Sequence, residues 1–451
     1  MVPARFGGTS LALRHPAQYV VVAFVGASLL GSLLLMVPAA STTPGSTDFL
    51  TALFTATSAV CVTGLTVVDT ATHWTPLGQT IILVLIQVGG LGIMTLSSLI
   101  IVALGRRLGL RHRVIAAAST GSLELGDLRR VLAGVARLTF TVELTAAVVL
   151  FLLFWLQRGE PVGRAAQLGV FHAVSAFNNA GFSLFSDNMV GLQESPAILI
   201  AISATVIVGG LGFPVWIQIW RQPRSPRRWD LHAKMTVSTT IALLVGGWVL
   251  YTWWEWTNPA TFGGMSVLDS LTNGFFQSVQ PRTAGFNAVA QSDLRESSRL
   301  LTEVLMFIGG GSGSTAGGIK VTTFALLGFI MWAELRGDPD VVVFRRRIPS
   351  GSQRQAVTVA LLAVGVVVAS TMVLVATSSL SRSDLFFETV SALGTVGLST
   401  GITPLLSGTS QVVVIALMLL GRVGPPTLFA ALVLRERTRL YRHPEERPII
   451  G

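Results

Sequence analysis

Charged residues and cysteines are scarce in this sequence of 451 residues. Asp, Glu, Lys and Arg make up 12% of it, whereas soluble proteins carry about 25% charged residues. Cys61 is the only cysteine, which excludes an intramolecular disulfide, and no Cys/His spacing typical of a metal site is present. The motifs GxxxxGK[ST], HExxH and GxSxG are missing as well. These absences argue against an ATPase, a metalloprotease and a hydrolase, and we expect no enzymatic activity.

Apolar residues, by contrast, make up 51% of the chain and form long runs. A helix that crosses a bilayer needs about 20 such residues. The first run, 19–38, is too long for a signal peptide and lacks a clear cleavage site, so we expect a retained helix. The runs come in pairs, which gives eight predicted spanning helices. The leading members lie at 19–38, 131–156, 235–254 and 356–376, and the trailing members lie at 77–104, 197–220, 300–335 and 412–434.

The basic residues predict how these helices are oriented. Most Lys and Arg lie in polar stretches that recur after every second predicted helix: the N-terminal tail, 106–137, 221–234, 336–354 and 435–447. Basic loops favour the cytoplasmic side of a membrane, so both termini are predicted to be cytoplasmic. The net charge of +10 is therefore assigned to surfaces that flank the lipid bilayer, and no nucleic-acid partner is expected.

A motif of eleven residues occurs four times, each time between a leading and a trailing helix. It reads FTATSAVCVTG from Phe54, FHAVSAFNNAG from Phe171, FFQSVQPRTAG from Phe275 and FETVSALGTVG from Phe387. Each copy begins with Phe and ends with Gly, at Gly64, Gly181, Gly285 and Gly397. The recurrence predicts repeat 1 at 1–104, a basic linker with repeat 2 at 105–220, a linker with repeat 3 at 221–335, a linker with repeat 4 at 336–434, and a cytoplasmic tail at 435–451.

The stretch that contains each motif is mildly apolar and too short to span, so it predicts a re-entrant half-helix on the outer side. Irregular backbone at membrane depth is tolerated where it lines a water-filled cavity. The C-terminal ends of helices carry partial negative charge, and rings of carbonyl groups can replace the hydration shell of a cation. The predicted fold is an all-α integral membrane protein with four helix–pore-loop–helix repeats around a pseudo-fourfold pore. The predicted filter strands are Val62, Thr63 and Gly64; Asn179, Ala180 and Gly181; Thr283, Ala284 and Gly285; and Thr395, Val396 and Gly397.

The third trailing segment contains FIGGGSGSTAGGIKVTTF, at 307–324. So many glycines disfavour a helix, and the apolar flanks resemble two halves of one span. We therefore expect an intramembrane loop that lines a cavity under the filter. The other trailing segments, with VGGLGIM, VGGLGFP and LGRVGPP at the corresponding places, are expected to bend less. The loop residues predicted to form a gate are Gly309, Gly310, Gly311, Ser312, Gly313, Ser314, Thr315, Gly317, Gly318 and Lys320.

Two cationic side chains fall at membrane depth, where a charge is costly and usually has a partner or faces water. Arg422 is predicted to hold carbonyl and hydroxyl groups of the loop, including Ser312, Ser314 and Thr315, in a closed position. Lys320 has an alternative interpretation, in which its side chain extends to the membrane interface.

TVGLS, at 395–399, is similar to the TVGYG filter of potassium channels. Together with TSAVCVTGLTVVDT, FHAVSAFNNAGFSLF, PRTAGFN and TVGLSTGITP, it makes nearly the whole chain resemble the Trk/Ktr/HKT superfamily of cation transporters, most closely the Ktr-type membrane pore subunit. The resemblance implies potassium uptake, with K⁺ bound at Gly64, Gly181, Gly285 and Gly397, and the glycine-rich loop as the gate. In that superfamily a serine in place of the first filter glycine accompanies sodium transport, so Gly64 implies selectivity for potassium.

The same resemblance implies partners and a location. The chain would be a homodimer in a bacterial inner membrane, seated on a cytoplasmic ring of nucleotide-binding regulatory subunits. Nucleotide would act only through that ring, sodium is a candidate activator, and no covalent cofactor is expected. The basic linkers and the tail at 435–451 are candidate docking surfaces for the ring.

Three other functions fit the sequence less well. A sodium-coupled secondary transporter with broken helices predicts a twofold inverted repeat, whereas this sequence has four repeats of one orientation. A membrane enzyme would need paired acid and base groups at depth, and the sequence contains no such pair. A membrane scaffold would give no reason for four filter strands.

Overall fold

The structure, a computed structural model, describes residues 16–43, 45–107 and 125–434. Both tails (1–15 and 435–451) and part of the first basic linker (108–124), including the docking surfaces predicted there, lie outside the described residues. Helices dominate the rest. The first repeat contains α1 (Pro16–Leu35), α2 (Phe49–Val60) and α3 (Pro76–Arg107). The second contains α4 (Leu125–Arg158), α5 (Val162–Phe177), α6 (Pro196–Leu211) and α7 (Phe213–Arg221).

The third and fourth repeats follow the same order of a long helix, a short helix and a trailing segment. The third contains α8 (Leu231–Glu255), α9 (Val267–Val279), α10 (Glu296–Phe307) and α11 (Val321–Arg336). A small antiparallel hairpin, β1 (Val342–Val343) and β2 (Arg346–Arg347), leads to α12 (Ser350–Thr377), α13 (Arg382–Gly394) and α14 (Gly408–Leu434). The helices lie at the places that the apolar runs predicted.

The short helices α2, α5, α9 and α13 each end inside one of the eleven-residue motifs. Their starts have local causes. The carboxylate of Asp48 accepts a hydrogen bond from the backbone N–H of Thr51 at 3.0 Å and so caps α2. The hydroxyl of Ser266 caps α9 by accepting from the N–H of Asp269 at 3.2 Å. These helices are only 12 to 16 residues long, which is short for a bilayer span.

In the part of the chain that the structure describes, four helices are long and apolar enough to cross a membrane, at Pro76–Thr95, Leu132–Arg158, Leu231–Glu255 and Ser350–Thr377. The pair α6 and α7 makes a fifth if it counts as one bent span. The first and last helices contribute shorter apolar stretches within the described residues, Tyr19–Leu35 and Gly408–Gly424. The predicted number of eight spans therefore stays a prediction.

The second trailing segment bends more sharply than its sequence suggested. It breaks between α6 and α7 with an angle of 94°. Gly212 forms the break with a φ of 91°, a left-handed value that glycine adopts without steric cost. The N–H of Phe213, next in the chain, donates to the carbonyl of Gly313 at 3.2 Å. A loop from the third repeat thus occupies the space that the bend opens.

Burial separates the long helices from the short ones. Along α12 the apolar side chains of Leu361 and Met372 are 67% and 68% exposed, as expected of a surface that faces lipid. On α2, by contrast, every side chain from Phe54 onwards is buried, including those of Thr55, Thr57 and Ser58. The short helices therefore lie at the centre of the molecule, surrounded by the long ones.

Candidate functional site

The residues that follow the four short helices share one unusual backbone conformation. The φ angle is 54° at Val62, 60° at Asn179, 68° at Thr283 and 50° at Thr395. Two residues later it is again positive, 94° at Gly64, 69° at Gly181, 77° at Gly285 and 95° at Gly397. Left-handed values are unfavourable for β-branched residues such as valine and threonine. The same costly pattern at four equivalent places indicates a common structural requirement.

Serine side chains at the ends of the short helices hold two of these segments. The hydroxyl of Ser58 accepts from the N–H of Gly64 at 3.0 Å, and that of Ser391 accepts from Gly397 at 3.1 Å. The third motif has Val279 at this position and no hydroxyl. There the N–H of Gly285 donates to the carbonyl of Gln280 at 3.2 Å instead. The departure of the third motif from the Ser-Ala pattern is therefore matched by a different local bond.

The four segments form one closed ring. A Cβ atom added at Gly64 would collide with the carbonyl oxygen of Ala180, in the next repeat. The same relation continues in chain order, because Gly181 faces the carbonyl of Ala284, Gly285 faces that of Val396, and Gly397 faces that of Thr63. Each glycine thus lies against the carbonyl that precedes the next glycine. All twelve predicted filter residues are brought together in this ring, which we call the glycine ring.

A cavity of about 500 Å³ opens on the side of the ring that follows the glycines. Gly64, Gly181 and Gly397 line it, together with the carboxylates of Asp69 and Asp187. Its described lining residues include no Lys, Arg or His. Partial burial disfavours the charge of Asp69, but hydrogen bonds from Ser186 and from residues 71 and 72 outweigh this and keep its pKa below the ordinary value. The cavity is therefore negatively charged at neutral pH.

The glycine-rich loop lies on the opposite side of the ring and is buried. It connects α10 to α11, and the N–H of Gly309 donates to the carbonyl of Ile319 at 2.8 Å, which closes its base. The hydroxyl of Thr315 donates towards the carbonyl of Phe177 at 3.2 Å and towards Asn179 Oδ1 at 3.1 Å. A Cβ atom at Gly317 would collide with the side chain of Thr395. The loop therefore contacts ring segments of the second and fourth repeats directly.

Arg422 is 2% exposed and connects this loop to two helices. From α14, its Nη1 donates to the carbonyl of Thr315, and its Nη2 donates to the carbonyl of Gly89 on α3 at 3.4 Å. Among the described residues its Nε has no hydrogen-bond partner. The predicted contacts with the serine hydroxyls are wrong. The hydroxyl of Ser314 donates to the carbonyl of Gly311 at 2.6 Å, and the hydroxyl oxygen of Ser312 lies 3.4 Å from that of Thr322. Within the described residues, this guanidinium donates to backbone carbonyls.

Lys320 and Arg282 are both held by carbonyl groups. Lys320 Nζ donates to the carbonyl of Ala316 at 2.6 Å, so its side chain folds back onto the loop and does not extend to the interface. Arg282, beside the third ring segment, donates to the hydroxyl of Thr240 at 3.2 Å and towards its carbonyl at 3.4 Å. Both acceptors belong to Thr240 on α8, so the guanidinium is attached to that helix.

Of the three buried glutamates among the described residues, Glu143 and Glu388 contact or belong to the eleven-residue motifs, and neither was identified from the sequence. Glu143 on α4 accepts from the side-chain amides of Gln87 at 3.2 Å and Asn178 at 3.0 Å, so both of its oxygens have a donor. Glu388 on α13 accepts from the hydroxyl of Thr403. The second could have been found, since it is the only acidic residue in the four motifs. The first could not, because its partners are 35 and 56 residues away in sequence.

Comparison with known proteins agrees with this architecture. The sequence model of the TrkH family, described as cation transport protein, matches residues 4–437. The chain is 37% identical to the Ktr system potassium uptake protein B of Bacillus subtilis over 436 residues, 97% of each chain. It is 36% identical to the potassium/sodium uptake protein NtpJ of Enterococcus hirae, again over 97% of each.

A solved structure, that of the potassium transporter TrkH from Vibrio parahaemolyticus, superposes with a TM-score of 0.72. The match covers 95% of this chain and 86% of the other at 20% identity, and so shows a common fold. The superfamily resemblance that the motifs indicated is confirmed. This chain belongs to the TrkH family of cation transport proteins.

Proposed function

We propose that the protein takes up potassium across the plasma membrane through the glycine ring. The observation that carries the proposal is the closed ring itself, in which four glycines each lie against a backbone carbonyl of the next repeat. The names of two relatives support the choice of ion, since one is a potassium uptake protein and the other a potassium/sodium uptake protein. Because the chain also exposes long apolar helices, the ring would lie within a bilayer.

The conformation of the ring segments suits this task. In a regular strand successive carbonyls point to opposite sides. Positive φ at alternate residues breaks that regularity, so that consecutive carbonyls of one segment can face the ring axis. The C-terminal ends of α2, α5, α9 and α13 would add partial negative charge around the same axis. Carbonyl oxygens in such a ring would replace the water shell of K⁺.

In this proposal the short helices are re-entrant and the chain consists of four repeats around a pseudo-fourfold pore. The negatively charged cavity would be the outer mouth, and the buried loop would lie on the cytoplasmic side. Both termini would then be cytoplasmic, in agreement with the basic linkers. Glycine at all four ring positions would favour potassium over sodium, rubidium would pass, and sodium would act as an activator.

The glycine-rich loop is proposed as the gate. It lies across the inner side of the ring, where Thr315 bonds to Asn179 and Gly317 packs on Thr395. Arg422 holds the loop by the carbonyl of Thr315 and places a positive charge below the ring. Both features oppose the passage of a cation. Opening would require the loop to leave Arg422 and to break the hydrogen bond between the N–H of Phe213 and the carbonyl of Gly313.

Regulation would come from other chains. One relative is named as part of a Ktr system, and we propose by analogy a homodimer on a cytoplasmic ring of nucleotide-binding subunits. The exposed hairpin residues Phe344, Arg345, Arg346 and Arg347 lie in one of the basic linkers. They are available for docking to such a partner.

Flux measurements on the full chain in proteoliposomes test the ion pathway. We expect a potassium gradient to drive uptake of radioactive rubidium. In Gly64→Ser the ratio of rubidium flux to sodium flux should fall roughly tenfold, which is equivalent to about 1.4 kcal/mol. The matched control is Gly246→Ser on α8, where a new Cβ meets no atom within 4 Å. Its ratio should equal that of the unmodified protein. A Gly64→Ser ratio equal to the control, or absence of rubidium uptake with the regulatory subunits present, would contradict the proposal.

A further inference from the structure

Glu388 has an unusual place in the structure. It occupies the second position of the fourth motif, where the other motifs have Thr55, His172 and Phe276. Its side chain is 0% exposed. A carboxylate on a short central helix, in a region otherwise made of small and apolar residues, is costly to bury unless it has compensating partners.

The carboxyl group has few such partners. Its Oε1 accepts a hydrogen bond from the hydroxyl of Thr403. Its Oε2 is buried and has no hydrogen-bond donor among the described residues. The contrast with Glu255 is clear, because that buried carboxylate accepts from Asn258 and Thr261 on one oxygen and from Arg295 N–H and Ser298 on the other. Glu388 is therefore only half satisfied by hydrogen bonds.

Neighbouring charges do not compensate for it either. Within the described part of the chain, no Lys, Arg or His forms a hydrogen bond or ion pair with Glu388. The nearby acid Asp384, about one turn earlier on α13, is itself paired with Arg299 on α10 at 2.5 Å. That arginine is thus already engaged with another carboxylate. A positive charge that balances Glu388 would therefore come from outside the described side chains.

The hydrogen-bond partner of Glu388 lines the cavity of about 500 Å³ beside the glycine ring. Thr403 and Ser399 both line that cavity, and their hydroxyl oxygens are 2.9 Å apart. Ser399 is two residues after Gly397 and accepts from the N–H of Gly401 at 3.0 Å. One layer of hydroxyl side chains therefore separates the carboxylate from the mouth of the glycine ring. In the low dielectric of the protein interior, the negative charge of Glu388 would attract a cation strongly across one layer of side chains.

We propose that a monovalent alkali cation in this mouth is the counter-charge of Glu388, and that this carboxylate sets the cation affinity of the fourth side of the pathway. The inference rests on the proposed function, since it takes the glycine ring as the ion path. Glu388 does not touch the ion. It acts through its charge and through Thr403, and so is a positioning residue.

Rubidium uptake by the full chain in proteoliposomes, measured as KM and kcat, tests the role of the charge. Glu388→Gln keeps the shape of the side chain and removes its charge, and we expect KM for rubidium to rise about five- to tenfold while kcat changes less than twofold. Glu388→Asp keeps the charge but withdraws it by one methylene group. Its KM for rubidium should therefore lie between that of the unmodified protein and that of Glu388→Gln. Glu303→Gln, at a half-buried acid on α10, is the matched control and should leave KM unchanged.

A KM in Glu388→Gln equal to that of Glu303→Gln would overturn the inference, as would a fall in kcat alone with KM unchanged. If Glu388→Gln does not fold, Glu388→Asp decides, since equal KM values for it and the unmodified protein would also overturn the inference. Failure of the unmodified protein to take up rubidium is a different result. It would contradict the proposed ion pathway itself.

Discussion

The glycine ring holds single residues in unfavourable backbone conformations, as at Val62, Thr283 and Thr395. Each is β-branched and has a positive φ, which costs on the order of 1–3 kcal/mol per residue. Such strain persists only where the surroundings determine the conformation. Here the following residues are bonded to helix ends, as when the N–H of Thr63 donates to the carbonyl of Ser58 at 2.8 Å. The strain is concentrated where the four repeats meet.

At the same scale, Arg422 yields a prediction about the gate. Arg422→Ala removes the bond to the carbonyl of Thr315 and the positive charge beneath the ring, and hydrogen bonds to charged groups are worth about 1.5–3 kcal/mol. We therefore expect the rate of rubidium uptake into proteoliposomes without regulatory subunits to rise roughly tenfold. The exposed Arg354→Ala is the control and should not change the rate. An unchanged or lower rate in folded Arg422→Ala would contradict the proposal that Arg422 holds the gate closed.

At the scale of whole elements, glycines on the trailing helices set how closely they approach the short helices. A Cβ atom on Gly89 of α3 would collide with the carbonyl of Val60, the last residue of α2. The equivalent contacts are Gly209 against Phe177 and Gly421 against Leu393. In three repeats, then, a trailing helix packs on the C-terminal turn of its own short helix. The backbone of each ring segment is positioned by this contact.

Gly89→Ala tests the packing. The new methyl group would push α3 away from α2 and displace the first ring segment, so we expect a lower apparent melting temperature and reduced rubidium uptake. Overpacking of this kind costs about 1–3 kcal/mol. Gly365→Ala on α12 is the matched control, because its new Cβ meets no atom within 4 Å. It should be neutral or stabilising by up to about 1 kcal/mol through helix propensity. Equal melting temperatures for the two variants would contradict the packing model.

The elements themselves were largely predictable from sequence, since a run of apolar residues must form a helix to satisfy its backbone in lipid. The break at 307–324 was also predictable, because six glycines within ten residues destabilise a helix. The bend at Gly212 was underestimated. Its cause is the approach of Gly313 from another repeat, a contact between residues about a hundred positions apart.

The positions of the candidate site residues could be predicted from the sequence, but their contacts could not. The motif spacing identified the glycines, because a repeat reveals equivalent positions without any knowledge of contacts. Arg422 was selected from its unusual depth, but its acceptors are carbonyls of Thr315 and Gly89 rather than serine hydroxyls. Which acceptor a long side chain reaches depends on the relative rotation of helices, and that rotation is set by packing. The order in which the ring closes required the structure for the same reason.

At the scale of the whole molecule, the glycine ring is where segments from all four repeats meet. Each segment directs polar backbone towards the others, and a ring of carbonyl oxygens repels itself when no cation is present. The segments are attached to α2, α5, α9 and α13, so the ring also ties the four short helices together. A cation bound there would bridge all four repeats. Its binding energy should therefore stabilise the entire fold.

Thermal unfolding of the full chain in detergent tests this linkage. A ligand that binds only the folded state at a hundred times its Kd stabilises by about 2.7 kcal/mol. We expect the apparent melting temperature to rise by several degrees in potassium or rubidium chloride relative to choline chloride of equal ionic strength. Gly285→Ser, which would place a side chain against the carbonyl of Val396, should lose most of this rise, whereas Gly246→Ser should keep it. An equal melting temperature in potassium and choline would mean that no cation holds the four repeats together.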